Sequence, residues 1–145
     1  MNSADLDIDA HSPGEIARLA ERGGVNKAAT NTLTLLVLAL LAGAFISLGA
    51  MFYLVVTTST GLGFGITRLL GGLSFCLGLI LVIVAGAELF TGNNLVAIAW
   101  ASRRISTAAL LRNWILFYLG NIVGGTLLVA GVYWLAYLRG GQSGK

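Results

Sequence analysis

From Leu69 to Ser102 the chain runs for 34 residues with one charge, Glu88. Such a segment belongs in a membrane, yet as one straight helix it would measure roughly 51 Å at 1.5 Å per residue, against a hydrocarbon core of about 30 Å. It must leave helical geometry somewhere, and the residues suited to doing so are concentrated in GAELFTGNNLVA, Gly86–Ala97. Two arrangements satisfy the length. The helix ends near Glu88, whose side chain reaches the interface ahead of an ordinary turn, or it breaks inside the membrane and resumes through Leu95 to Trp100.

Two further uncharged runs flank this one, Leu33–Val56 and Trp114–Leu138, each long enough to cross a bilayer. With 57% hydrophobic and 10% charged residues, the chain reads as an all-α, polytopic membrane protein of three spans, at about 33–56, 69–101 and 114–138. For the second, an end near Glu88 and a break near 88–94 both stay open on these grounds. TTSTGLGFG, Thr57–Gly65, reads as a short external loop between the first two spans. Residues 1–32 form a cytoplasmic tail and 139–145 an external one. The net charge of +3 reports this topology rather than a nucleic-acid partner, since Arg18, Arg22 and Lys27 precede span one and Arg103, Arg104 and Arg112 lie between spans two and three. Arg139 and Lys145 weigh mildly the other way.

Ser12-Pro13-Gly14-Glu15 has the form of a capped helix start, with a short helix expected to about Gly23-Gly24. Ile16, Leu19 and Ala20 share one side of it, as in a helix lying on a membrane surface; a solvated cap is the other reading. Asp5, Asp7 and Asp9 oppose a cleaved signal peptide, which begins with basic residues. The lone Cys76 reads as a packing residue, and no His, Cys or acidic spacing suggests a metal, a cofactor or an enzyme. Gly71, Gly78, Gly86, Gly120, Gly124 and Gly125 allow close helix approach. Asn121 lies inside an apolar run and must find a partner. Trp114, Tyr118, Tyr133, Trp134 and Tyr137 stand toward the ends of span three, where interfacial aromatics anchor a helix.

At the break, Gly92 permits backbone angles that a helix excludes, and Asn93 and Asn94 favour turns. Glu88, Thr91 and the two asparagines supply polar groups, while Leu89 and Phe90 put bulky apolar tips beside them. Polar donors next to apolar plugs suit a selective constriction.

Four stretches, in order and suitably spaced, resemble the N-terminal half of the formate/nitrite transporter family: SPGEIARLAERGGVNKA, AGAFISLGAMFYL, GAELFTGNN and RNWILFYLGNIVGG. That resemblance implies one half of an aquaporin-like fold of two inverted three-span repeats, with the second span broken near 88–94 by a loop that enters the pore. It also implies a homo-oligomer, a pentamer, in the inner membrane, each protomer with its own pore for small monovalent anions such as formate or nitrite. By matching position, Phe75, Leu79, Leu89 and Phe90 would form apolar constrictions and Thr91 would offer its hydroxyl to the pore. Glu88, Gly92, Asn93 and Asn94 would support the loop. The family's pore histidine comes from a fifth span, which the matched stretch does not reach, so channel and proton-coupled carrier remain equally open. The chain is then expected to be a piece of a six-span transporter, one chain of a split transporter, or a three-span membrane protein without transport activity.

The topology is tested by cysteine accessibility: in a Cys76→Ala background, Thr60→Cys should react with an impermeant maleimide added outside intact cells. Labelling only after the cytoplasm is opened would reverse the orientation.

Overall fold

The computed structural model describes residues 11–58 and 60–142, so Asp5, Asp7, Asp9 and Lys145 lie outside the described residues. Among the described residues six helices follow one another: α1 (Pro13–Ala29), α2 (Thr32–Thr57), α3 (Phe64–Ala85), α4 (Phe90–Asn93), α5 (Val96–Ala101) and α6 (Thr107–Gln142). Three segments are long and apolar enough to cross a membrane: Thr32–Thr57, Phe64–Ala85 and Thr107–Arg139. The second span is interrupted, with α3 stopping at Ala85 and two short helices completing the segment.

The start of α1 follows from local chemistry. The Ser12 hydroxyl accepts the Glu15 N–H while the Glu15 carboxylate accepts the Ser12 N–H at 2.8 Å, and Pro13 occupies the first turn. Hydrogen bonding to the Glu15 carboxylate, from the Ser12 backbone N–H first and from the Ser12 hydroxyl second, holds the Glu15 carboxyl below its ordinary value. The helix does not stop at Gly23-Gly24 but continues to Ala29. Gly24 is where α1 crosses α5: a Cβ there would lie 2.8 Å from the Ala99 Cβ and 3.3 Å from the Val96 Cα. The glycine serves contact rather than termination.

Helix α2 stands in the middle, packed on α3 along one side and α6 along another, while α3 and α6 share no comparable interface. Small residues make both approaches possible. A Cβ on Gly43 would overlap the Asn121 backbone, one on Gly124 the Leu40 carbonyl, and one on Gly120 would come within 2.5 Å of the Ala39 Cβ. On the other side Gly49 meets Gly78, where an added Cβ would lie 2.8 Å from the Phe75 carbonyl oxygen. In lipid, where apolar surface gains nothing by leaving the solvent, such close backbone contact is what holds helices together.

The remaining elements depart modestly from the sequence expectation. Helix α3 begins at Phe64, five positions before Leu69, with Gly63 as its N-cap, so Gly65 of the expected loop lies in its first turn. Helix α6 reaches well beyond 114–138 at its start, where the Ser106 hydroxyl accepts the Ala109 N–H. Arg112, in this added turn, donates to the carbonyls of Ala28 and Thr30 and to the Thr32 hydroxyl, pinning the α1–α2 corner against α6.

Gly124→Ala should destabilise the protein in detergent by about 1–3 kcal/mol through overpacking. Gly131→Ala, on the same helix with nothing within 4 Å of its added Cβ, should be neutral or stabilising by up to about 1 kcal/mol. Thermal unfolding of the two variants side by side checks the contrast.

Candidate functional site

The interruption of the second span begins at Gly86, the only described glycine with positive φ, at +64°. Its N–H reaches the Ile83 carbonyl and the Ala87 N–H reaches that of Val82, so the last turn of α3 closes on itself through a left-handed residue. The residue released from helical geometry is therefore Gly86, whereas Gly92 lies inside α4. Gly86 meets no neighbour, so it serves the turn and not helix packing.

Beyond this turn the chain is tied to its neighbours by hydrogen bonds to groups that a helix would have paired internally. The Glu88 N–H donates to the Leu38 carbonyl of α2 at 3.2 Å. The Asn121 carboxamide, projecting from α6, accepts the Phe90 N–H at 2.7 Å and donates to the carbonyls of Glu88 and Ala39 at 3.1 and 2.8 Å. One side chain thus joins the loop, α2 and α6. The α2 carbonyls are reachable because the residues one turn later, Ala42 and Gly43, have little or no side chain to shield them.

A second set of contacts involves Glu88 itself. Its carboxylate accepts from the Lys27 ammonium at 2.7 Å and from Asn93 Nδ2 at 3.0 Å, with the lysine and glutamate side chains 33% and 22% exposed. Asn93, fully buried, also donates to the Leu89 carbonyl at 2.8 Å. The Asn93 carbonyl accepts from the Trp114 indole at 3.4 Å. Glu88 is therefore held by α1 and by its own loop. A half-buried carboxylate facing an ammonium and an amide is stabilised locally while its charge is kept off neighbouring apolar surface.

The bulky tips of the loop close one end of a trough. Gly43, Ile46, Ser47, Ala50 and Leu54 fall on one strip of α2 at helical spacing, with Gly43 and Ser47 against α6 and Ala50 and Leu54 facing α3. Leu89, Phe90, Tyr118 and Asn121 line a cavity of about 330 Å³ over Gly43–Ser47. It shares Ser47, Asn121 and Ile122 with a larger cavity of about 640 Å³ that continues along α6 to Tyr133. Phe75 lies farther along α2, over Ala50 and Leu54, in a cavity of about 440 Å³.

The sequence-derived candidates are thus distributed unevenly. Leu89 and Phe90 are together at the stopped end, Leu89 packing on Ala42, Val82 and Ala87 and Phe90 on Leu35, Ala39 and Phe117. Phe75 and Leu79 are one turn apart on α3, 40% and 46% exposed; Phe75 borders the cavity between α2 and α3, which shares no lining residue with the two beside α6, and Leu79 borders none of these three. Thr91, Gly92 and Asn94 are exposed on the loop.

Sequence reasoning required a partner for Asn121 without naming one, and it read Lys27 only as a topology marker. Trp114 and Tyr118, which the sequence offers as interfacial anchors, also serve the loop: Trp114 bonds it and Tyr118 packs on Phe90.

The model of the family described as formate/nitrite transporter matches residues 14–144, nearly the whole chain. The chain belongs to the formate/nitrite transporter family. It is 45% identical over 134 residues to the formate channel FocA of Escherichia coli strain K12, which covers 92% of this chain and 47% of that protein. The FocA of Haemophilus influenzae is 41% identical over 128 residues, 88% of this chain and 45% of the relative. The formate channel BtFdhC of Bacillus thuringiensis is 37% identical over 116 residues, 79% and 45% respectively. The chain spans about half the length of the relatives it matches. Membership in this family, with three spans, makes it a multi-pass membrane protein.

Asn121→Leu should destabilise the fold by about 2–4 kcal/mol, because the Phe90 N–H and the Glu88 carbonyl lose their partner. Hydrogen exchange localises the effect: the Phe90 amide should lose its protection well before amides in the middle of α2.

Proposed function

We propose that residues 32–139 form the N-terminal half of a pore that carries small monovalent anions, formate first, across the inner membrane. The observation that carries this reading is the loop clamped by Asn121, which sets Leu89 and Phe90 across the end of a trough between α2 and α6. The relatives support the substrate, since those compared are named formate channels. Nitrite is the close alternative, being a monovalent anion of similar size.

In this reading Leu89 and Phe90 are one apolar stop and Phe75 and Leu79 contribute another. An ion stripped of water beside apolar rings is costly, so these residues exclude hydrated ions and favour a substrate that enters with its charge offset. The Thr91 hydroxyl, exposed on the loop next to Phe90, would offer a donor to the substrate. Glu88, Gly92, Asn93 and Asn94 support the loop, and Glu88 serves transport best by remaining engaged with Lys27, because a free carboxylate in the path would repel an anion. The positive residues of α1 and of the α5–α6 turn support a cytoplasmic N-terminus, and in this reading the working unit is a homo-oligomer, a pentamer, in the lipid bilayer. The chemistry is passage of a substrate and not its conversion, so the reading includes no catalytic residue, metal or cofactor.

Formate uptake tests this. Cells without their own formate transport, expressing the natural protein that carries these residues, should take up labelled formate. Phe90→Glu should reduce the initial rate by roughly tenfold or more by setting a charge of the substrate's own sign at the stop. Thr91→Val should reduce it severalfold. A Phe90→Glu protein that reaches the membrane and transports at the unaltered rate would remove Phe90 from the path.

A further inference from the structure

Phe90 is held at two points by a single turn of α6. Asn121 accepts its backbone N–H at 2.7 Å, and Tyr118 meets its ring edge to face, with centroids 5.5 Å apart and planes inclined at 71°. The two anchors do different work. A bond to the backbone fixes where Phe90 enters the trough but leaves the side-chain torsions free. The direction of the ring is set by what its faces and edges touch. On one part the ring has the buried cluster of Leu35, Ala39 and Phe117; on the trough side it has Tyr118.

Nothing else in the described structure requires an aromatic residue at Tyr118. The side chain is 53% exposed and borders the same cavity as Leu89 and Phe90, so it fills no part of the buried core. Placed one turn before Asn121, it supports the ring of the residue whose backbone Asn121 holds.

We propose that Tyr118 is a positioning residue for Phe90: its ring keeps the Phe90 ring turned across the trough, and so sets the largest anion that passes. The inference rests on the reading of Phe90 as a constriction given above. It assigns the effect to the aromatic ring of Tyr118 and not to the hydroxyl, which separates it from a role in binding the anion. An edge-to-face pair is worth enough to shift the ring between two orientations by roughly two- to tenfold.

The test is a permeability ratio in proteoliposomes containing the natural protein: lactate against formate, measured for Phe90→Ala, Tyr118→Leu, Tyr118→Met and Tyr118→Phe. The Phe90→Ala variant should raise the ratio by opening the stop. Tyr118→Leu and Tyr118→Met should raise it by about two- to tenfold, and Tyr118→Phe should leave it where it was. A thermal midpoint for each variant shows whether it is folded, and the two non-aromatic variants guard against one of them failing to assemble. If Tyr118→Phe raises the ratio as much as Tyr118→Leu, the hydroxyl carries the effect and the proposal is overturned. An unchanged ratio in both non-aromatic variants, with Phe90→Ala still raising it, also overturns it. A ratio indifferent to Phe90→Ala would instead remove the constriction itself, and the positioning role with it.

Discussion

Peptide groups without partners are scarcely tolerated in hydrocarbon, and the interruption of the second span depends on a few bonds that supply them. Asn121 is central to these. Its oxygen accepts from Phe90, and its nitrogen donates to Glu88 of the same loop and to Ala39 of α2. Each group left unpaired at such a place costs on the order of several kcal/mol, more than a single helix–helix contact returns. The position of the loop, the packing of α6 on α2 and the shape of the trough therefore stand or fall together.

The close approach of the helices serves the same end. Gly43 lets α6 come near enough for Asn121 to reach across α2, and it also leaves the Ala39 carbonyl unshielded for the bond that Asn121 makes. On the opposite side of α2, Gly49 and Gly78 bring in α3, whose last turn delivers the chain to Gly86. Helix α1 adds a second support from outside the spans. It rests on α5 at Gly24, pairs Glu21 with Arg104 at 3.1 Å, and extends Lys27 to Glu88. Arg112 holds the corner that follows it.

What the sequence made legible was whatever depends on neighbours a few residues apart. The capping box of Ser12 and Glu15 spans three positions, and the apolar runs declare their lengths directly. That a break was needed followed from arithmetic on one long run. Where it fell was harder, because two glycines flank it and only the folded chain distinguishes Gly86, held left-handed by the turn that ends α3, from Gly92, which stays helical. Gly23-Gly24 suggested a helix end because a glycine pair weakens a helix. The contact that accounts for Gly24 comes from Val96 and Ala99, more than seventy positions later. Lys27 and Glu88 are 61 positions apart, and nothing local couples them. Tyr118 and Trp114 stand where interfacial aromatics usually stand, and only the loop folded against α6 shows their other use. Of the residues expected to form the path, the pair adjacent in sequence, Leu89 and Phe90, is also adjacent at the trough. Phe75 and Leu79 depend on how α3 is rotated, which periodicity in a wholly apolar helix does not reveal.

The distance along the chain between the loop and its clamp has a temporal meaning. Ribosomes release a chain from its N-terminus, so Glu88 and Phe90 emerge well before Asn121, which follows Phe90 by 31 positions. During that interval α2 and α3 can insert and pair through Gly49 and Gly78, and the Glu88 N–H can already find Leu38, but the Phe90 N–H and the Glu88 carbonyl have no partner on either helix. The half-made protein must keep those groups near water or in the care of the insertion machinery. Only when α6 enters does the loop acquire its place, which makes the last helix of the segment the step that commits the earlier ones to their final depth.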